Sequence, residues 1–318
     1  MQTRPPQTYL VTGGAGFIGS HIVDTLVREG HRVRVIDNFS TGKRENLVLS
    51  LDHIELFEAS ITDRAALDEA IQGVDYVLHL AALASVPRSV DDPLSCHEHN
   101  VTGTLNVLLA ARDAGVRRVV YAGSSSAYGD VESDFKAEDM LPQPLSPYAA
   151  AKLAGEHYCQ AISSVYGLET VTVRYFNVFG PRQDPLSTYA AVIPKFVTAM
   201  LRGEPPRVEG DGLQTRDFTY IDNVVHGTLL ACHTPGISGE VFNIACGGQI
   251  SLLEMIDILN ELLGTTIAPV FVAPRPGDVR HSRAAIDKAR DRLGYEPLIS
   301  FSEGLARTLA WYHTQMPV

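Results

Sequence analysis

An α/β fold, a doubly wound parallel sheet joined to a smaller carboxyl-terminal α/β lobe, is predicted by three observations in this sequence. An apolar run, Tyr9-Leu10-Val11-Thr12, breaks into Gly13-Gly14-Ala15-Gly16 and then into an apolar-periodic segment. Strand-like runs alternate with helical periodicity through the first half of the chain, and strands spaced by helices mean right-handed crossovers and parallel pairing. After Gly180-Pro181 the rhythm turns helix-rich with only short strands, which divides the chain into 1–180 and a lobe of 181–318, with segments interleaving across that boundary.

The first element carries the most information. Glycines at 14, 16 and 19 fit a dinucleotide fingerprint: one for a tight turn, one for approach of backbone to a pyrophosphate, one for close packing of helix on sheet. The helix from Ile18 to Arg28 aims its unpaired N–H groups and positive dipole end at that pyrophosphate. Gly13, Gly16, Phe17, Ile18 and Gly19 are therefore expected at a cofactor on a Rossmann-type sheet. The next strand, Val33 to Ile36, ends in Asp37, at the offset where an acidic residue takes the adenosine ribose hydroxyls. A carboxylate there repels a 2'-phosphate and favours NAD over NADP, with Arg34, Lys43 and Arg44 nearby arguing the other way.

Further strands are predicted at Ile54 to Phe57, Val74 to Leu80, Val119 to Ala122 and Thr170 to Arg174, with helices at Arg64 to Ile71, Val101 to Ala114 and Ala149 to Tyr166. In the lobe, helices are predicted at Ala191 to Leu201, Val224 to Cys232, Leu252 to Leu263, Ala284 to Leu293 and Ser302 to Trp311. Short strands separate them near Arg207 to Glu209, Val241 to Ile244 and Pro269 to Val272. Asp222 is expected to cap the helix that follows it.

At 318 residues and 45 % hydrophobic the chain can bury a large core. A net charge of −11 sets general repulsion against nucleic acid and anionic membranes, so neither is expected as a partner. No apolar run approaches the ~20 residues of a membrane span, and Met1 to Gln7 is too short and polar for a signal peptide, so a cytoplasmic protein is expected. Cys96, Cys159, Cys232 and Cys246 show no zinc spacing and read as reduced core residues. The histidines include no H-E-x-x-H, and no metal site is expected.

Tyr148 and Lys152 stand near the start of a helix, after Pro144-Leu145-Ser146-Pro147, and the four-residue offset puts both on one face. A phenol of ordinary pKa about 10 is a poor base at neutral pH. A lysine cation one turn away favours its phenolate, as does the positive ring of an oxidised nicotinamide. The strand Val119 to Ala122 runs into Gly123-Ser124-Ser125-Ser126 at the carboxyl edge of the sheet, where a hydroxyl can share a substrate proton with Tyr148.

The Gly13 to Gly19 loop, Asp37, Ser124, the Tyr148-x-x-x-Lys152 pair and Arg174-Tyr175-Phe176-Asn177 together resemble the extended short-chain dehydrogenase/reductase family, particularly its nucleotide-sugar 4-epimerases. The likeness covers nearly the whole chain. It implies that Ser124 and Tyr148 handle a proton while Lys152 lowers the tyrosine pKa and holds the nicotinamide ribose. It assigns Asn38, Ser40, Thr41 and Gly42 to the adenosine loop, and Ser60 and Ile61 to the place where an Asp-Ile pair usually brackets adenine. Serine for aspartate departs from that pattern and puts the adenine amino contact in doubt. Leu80, Ala81 and Ala82 correspond to the loop over the cofactor diphosphate, with Asn100 behind them, and Tyr175 to the loop beside the nicotinamide; aromatic core is a second reading of Tyr175-Phe176.

On the substrate side the resemblance implies a UDP-sugar. Asn177, Arg216 and Arg275 correspond to ligands of its diphosphate and Asp278 to a ligand of its ribose. Arginines suit bridging phosphate oxygens. Ser282 stands where a bulky tyrosine confines the pocket to glucose and galactose in some relatives and a small residue admits 2-acetamido sugars in others. Ser85-Val86-Pro87-Arg88-Ser89, Gln183-Asp184-Pro185 and Tyr189-Ala190-Ala191 with Val192 also resemble the acetamido-accepting subgroup, where such residues line the sugar. Ser85, Ser125 and Ser126 are placed to bond the amide or, equally, to form turns.

The expected reaction is NAD-dependent 4-epimerisation of UDP-GlcNAc/UDP-GalNAc and UDP-Glc/UDP-Gal through a 4-keto sugar, with hydride passing to the nicotinamide and back. Dehydratases of the family carry an Asp-Glu pair after the catalytic hydroxyl and decarboxylases a nearby Glu, whereas this chain has Ser125 and Ser126, which cannot act as a general acid or base at neutral pH. A non-catalytic NAD-binding protein on the same fold is the other alternative, and it would be expected to lose the Tyr-Lys pair. The family also implies a homodimer through a four-helix bundle, here from the helices at Asn100 to Ala114 and Ala149 to Tyr166.

Overall fold

The computed structural model describes residues 5–131, 133–185, 191–274 and 280–315. Seven strands form its main sheet: β1 (Thr8–Thr12), β2 (Arg32–Ile36), β3 (Ile54–Phe57), β4 (Tyr76–His79), β5 (Arg118–Ser124), β6 (Glu169–Tyr175) and β7 (Val241–Ile244). All pairings are parallel, in the order β7-β6-β5-β4-β1-β2-β3. Helices α1 (Phe17–Arg28), α2 (Arg64–Ala70), α3 (Val86–Asp91), α4 (Pro93–His97), α5 (Gly103–Asp113), α6 (Pro147–Tyr166), α7 (Val192–Leu201), α8 (Ile221–His233), α9 (Leu252–Leu263), α10 (Asp287–Leu293) and α11 (Phe301–Gln315) surround it.

Alternation along each strand divides the core between the two faces. Tyr9 and Val11 of β1 pack with Ile22, Val23 and Leu26 of α1 and Val224 of α8, while Leu10 packs on the other face with Leu67 of α2, Val107 and Leu108 of α5 and Ile162 of α6. Leu10 and Val11 are fully buried, each stabilising the fold by about 1.5–3 kcal/mol. The sheet is thus doubly wound, as expected.

The seventh strand is where the chain departs from its sequence reading. Val241–Ile244 is fully buried and pairs with Thr172 to Tyr175, so it extends the main sheet and does not serve the lobe. Its crossover helix, α8, buries an apolar stripe against β5 and β6, and that burial returns the chain to the sheet. Asp222 is not the cap of α8; Tyr220 holds that position, and Asp222 sits in the first turn, 3.1 Å from Arg307.

Two short helices, α3 and α4, lie in a stretch that periodicity does not resolve. Each begins with a side-chain cap and a first-turn proline: Ser85 accepts from the Arg88 N–H at 3.3 Å and Asp92 from the Ser95 N–H at 3.0 Å. The lobe contains a three-stranded sheet of Ile250–Ser251, Thr215–Arg216 and His281–Ser282, and a parallel pair of Arg207–Glu209 with Val270–Val272. Among the described residues no helix is long and apolar enough to cross a membrane, and no cluster of three His, Cys, Asp or Glu could hold a metal.

Candidate active site

Strand order reverses at β1, between β4 and β2, and the crevice at such a switch point is where sheets of this kind bind ligands. The tight turn that leaves β1 is made by Gly13, not Gly14. Gly13 has φ +68°, and a Cβ there would lie 2.7 Å from the Ala81 nitrogen. Gly14 packs on Val35, Gly19 presses against the Gly13 backbone, and Gly16 has open space on its Cβ side apart from the Gly13 carbonyl at 3.2 Å. No side chain caps α1, so its first N–H groups, those of Phe17, Ile18 and Gly19, face that opening.

Asp37 stands at the end of β2. Its carboxylate accepts from the Ala15 N–H at 2.9 Å and the Phe39 N–H at 2.8 Å, and burial raises its pKa against those two bonds. The adenosine loop closes beside it: Asn38 accepts from the Ser40 N–H at 3.1 Å, Thr41 follows, and a Cβ on Gly42 would meet an Asp37 oxygen at 3.0 Å. An uncapped helix start, a glycine that leaves space and a strand-end carboxylate are the donor set that a dinucleotide with free ribose hydroxyls needs. The residues present fit NAD.

Four other expected cofactor residues make contacts within the protein. Ser60 closes its own turn, its hydroxyl 2.8 Å from that of Thr62, and Ile61 is buried against Gly103. The Tyr175 side chain packs in the core: its hydroxyl donates to Thr228 of α8 at 2.8 Å, because the Thr228 proton goes to the Val224 carbonyl at 2.7 Å. Asn100 is buried and pins the loop after β4, accepting from the Leu83 N–H at 2.7 Å and donating to its carbonyl at 3.2 Å.

That loop is also held by His79. The Thr12 hydroxyl oxygen accepts from the Leu80 and Ala81 N–H groups at 3.2 and 3.1 Å, so its proton goes to His79 Nδ1 at 2.7 Å. The Thr104 hydroxyl donates to the Asn100 carbonyl at 2.7 Å and therefore accepts from His79 Nε2 at 3.0 Å. His79 is thus a neutral ring protonated on Nε2. Burial, with Lys152 adding to it, pushes its pKa down to about 3. Ala82 continues the loop, half-buried.

Ser124 ends β5 opposite Tyr175 of β6, and the half-buried Tyr148 lies in the first turn of α6. Ser124 Oγ accepts from the Ser126 N–H at 3.2 Å and the Ser126 hydroxyl at 2.8 Å, which leaves its own proton uncommitted. Burial pushes the Tyr148 phenol up to about 12, and the Ser124 hydrogen bond pulls it down. Lys152 does not act on the phenol by contact here. Its Nζ donates to the Ala122 carbonyl at 2.8 Å over the Tyr121 ring, and burial lowers its pKa to about 8. Ser125 opens the short turn between Ser124 and Tyr128.

Sequence reasoning placed Ser89 in a sugar-lining segment and missed its contact with α6. Its hydroxyl donates to the Val86 carbonyl at 2.6 Å and accepts from the Tyr148 N–H at 3.0 Å, while Ser146 accepts from the Ala149 N–H at 3.1 Å. Two serines from different elements thereby satisfy two open N–H groups at the start of α6. Only the fold brings Ser89 there.

On the lobe side a cavity of about 290 Å³ brings together Asn177, Ala191, Val192 and Arg216 among the expected substrate residues. Lys195, Arg207 and Gln214 also line it, with Phe196 and Phe218 as apolar walls, and the sequence reading named none of these as ligands. The one-face spacing of Val192, Lys195 and Phe196 on α7 is the signal that could have found them. Ser282 pairs in register with Arg216 on the small sheet. Ser85, as the cap of α3, is a turn former. Arg275, Asp278, Tyr189 and Ala190 lie outside the described residues.

Residues 9–245 match the sequence model of a family described as NAD dependent epimerase/dehydratase. The chain is 40 % identical over 311 residues to the UDP-glucose 4-epimerase of Mycolicibacterium smegmatis, covering 96 % of this chain and 98 % of that one. Its fold matches UDP-N-acetylglucosamine 4-epimerase from Methanobrevibacter ruminantium M1, solved in complex with UDP-N-acetylmuramic acid, with TM-score 0.94, 39 % identity and coverage of 98 % and 100 %. UDP-glucuronic acid 4-epimerase from Bacillus cereus, solved with UDP-glucuronic acid and NAD, matches with TM-score 0.90, 35 % identity and coverage of 98 % and 100 %.

Proposed function

Because this chain belongs to the NAD-dependent epimerase/dehydratase family, we propose that it is a cytoplasmic UDP-sugar 4-epimerase that interconverts UDP-GlcNAc with UDP-GalNAc and UDP-Glc with UDP-Gal. The observation that carries this reading is the placing of Ser124, which accepts twice from Ser126, beside the Tyr148 phenol, with serine at 125 and 126 and no carboxylate there to drive elimination.

Bound NAD would take the hydride of C4 and give it back. The start of α1, Gly16 and Asp37 would hold it, with Lys152 at the nicotinamide ribose. Tyr148, as phenolate, takes the proton of the 4-hydroxyl, and Ser124 donates to the phenolic oxygen whenever that oxygen is charged, which lowers the cost of ionising a buried phenol. Arg216, with Arg275, holds the diphosphate while the 4-keto sugar turns its other face. Asn177, with Lys195, Arg207 and Arg216 outnumbering the one lining carboxylate, Glu209, supports a diphosphate at this cavity.

We extend the proposal to a homodimer in which α5 and α6 of two copies form a four-helix bundle. Tyr158, Val165 and Tyr166 of α6 are exposed apolar residues that such a contact would cover. The reaction is tested by incubating purified protein, without added cofactor, with each of the four UDP-hexoses and separating the products. Conversion within both pairs supports the reading; dehydrated or decarboxylated products, or none, contradict it.

A further inference from the structure

We infer that Asp217 is a positioning residue for the sugar nucleotide, the buried carboxylate on which the two sides of the substrate cavity are assembled. The inference rests on the reading of that cavity as a UDP-sugar site.

Asp217 is 1 % exposed and lies directly after Arg216. One oxygen accepts from the Cys246 N–H at 3.0 Å; the other accepts from the Gly247 N–H at 2.9 Å and the Ala284 N–H at 3.1 Å. Its own N–H donates to the Ser282 carbonyl at 2.8 Å, and its carbonyl accepts from the Asn177 side chain at 3.1 Å. Four chain segments meet at this one residue: the ends of β6 and β7 from the main sheet, and the strands carrying Arg216 and Ser282 from the lobe.

The carboxylate is not among the cavity's lining residues, whereas Asn177 and Arg216 are. Its three amide partners come from the end of β7 and from the segment two residues beyond Ser282, so it fixes how far the Arg216 strand stands from the sheet. Burial pushes its carboxyl up to about 6, against the three amides and the charge of Arg283. An asparagine would aim an N–H₂ at one of those N–H groups and force a segment aside. Ser124 and Tyr148 hang from β5 and α6 and would keep their geometry.

The test compares Asp217→Asn with the wild type in UDP-hexose kinetics, UDP binding by calorimetry and content of copurified NAD. The expected result is a rise of roughly 10- to 100-fold in KM and in the UDP dissociation constant, the loss of one charge-assisted hydrogen bond, with kcat within about threefold and NAD unchanged. Asn260→Ser serves as the structural control. Asn260 accepts from the Thr265 hydroxyl and the Ile267 N–H at 2.8 Å each and donates to the Ile267 carbonyl at 3.0 Å, with no contact to Asp217 or its amide partners, and its loss should lower the melting temperature without moving KM. If Asp217→Asn does not fold, Asp217→Ser, which leaves room for water to meet the amides, is measured in the same way. Unchanged KM in a folded, NAD-loaded variant, kcat falling as far as KM rises, or failure of both variants to fold overturns the inference. Wild-type protein that binds UDP but turns over no UDP-hexose counts against the proposed reaction alone, and the Asp217 effect is then read on UDP affinity.

Discussion

The Ser126 hydroxyl donates to Ser124 Oγ across 2.8 Å, and the Ser126 N–H donates to the same oxygen at 3.2 Å. A hydroxyl that accepts twice keeps its own proton free for a third group, and the Tyr148 phenol stands close enough for Ser124 to oppose the rise in its pKa. Ser126 therefore orients the residue that handles the proton. Ser126→Ala keeps the N–H bond and loses the hydroxyl bond, about 0.5–1.5 kcal/mol. We expect kcat to fall by roughly 2- to 12-fold with KM unchanged. A larger change in KM than in kcat would mean that Ser126 serves the sugar instead.

Tyr148→Phe removes the proposed base and keeps the ring in its place. Turnover should fall by roughly 10²- to 10⁴-fold while NAD remains detectable in the denatured extract. Wild-type turnover in this variant would remove Tyr148 from the chemistry.

His79 gives a prediction about acid stability. Its folded pKa of about 3 lies below the ordinary imidazole value of 6.5, so the unfolded chain binds this proton first. The stability it contributes is fully present above pH 6.5 and is lost as pH falls through that window toward 3. Between pH 7 and pH 5 the loss is about 2 kcal/mol. Urea unfolding at the two pH values should show a stability difference smaller by about that amount in His79→Gln. An identical difference in both proteins would show that the ring already titrates normally.

Much of this architecture was legible because its signals are local. The Gly13 to Gly19 loop, Asp37 at a strand end and the Tyr148-Lys152 offset each sit within a few residues of the element that positions them. What could not be read depends on distant partners. Whether Gly13 or Gly14 makes the turn depends on Ala81 approaching from β4. Tyr175 turns inward because Thr228 of α8 accepts its hydroxyl. Val241–Ile244 looks like any short strand until α8 lays it against β6. The contacts of Ser89 with α6 and of Asp217 with the end of β7 exist only where remote segments meet.

Ser282 bears on the breadth of substrate. It is half-buried and paired with Arg216 on the small sheet, so its side-chain position is set by the same strands that set the arginine. Ser282→Tyr adds a phenol ring where an acetamido group would turn. Overpacking of this kind costs ~1–3 kcal/mol, up to about a hundredfold in rate. The UDP-GlcNAc reaction should be lost while the UDP-Glc reaction survives. Equal loss on both sugars would place Ser282 away from the hexose.

The central claim is that one hydride leaves C4 and returns to C4 of the same sugar within a site built on Ser124 and Tyr148. The measurement that tests it most directly is mass and NMR analysis of the product from UDP-GlcNAc deuterated at C4, incubated in ordinary water with purified protein and no added cofactor. The account predicts UDP-GalNAc with the deuterium still on C4. Product that has exchanged its C4 deuterium for solvent hydrogen, or a product that is not the 4-epimer, would contradict it.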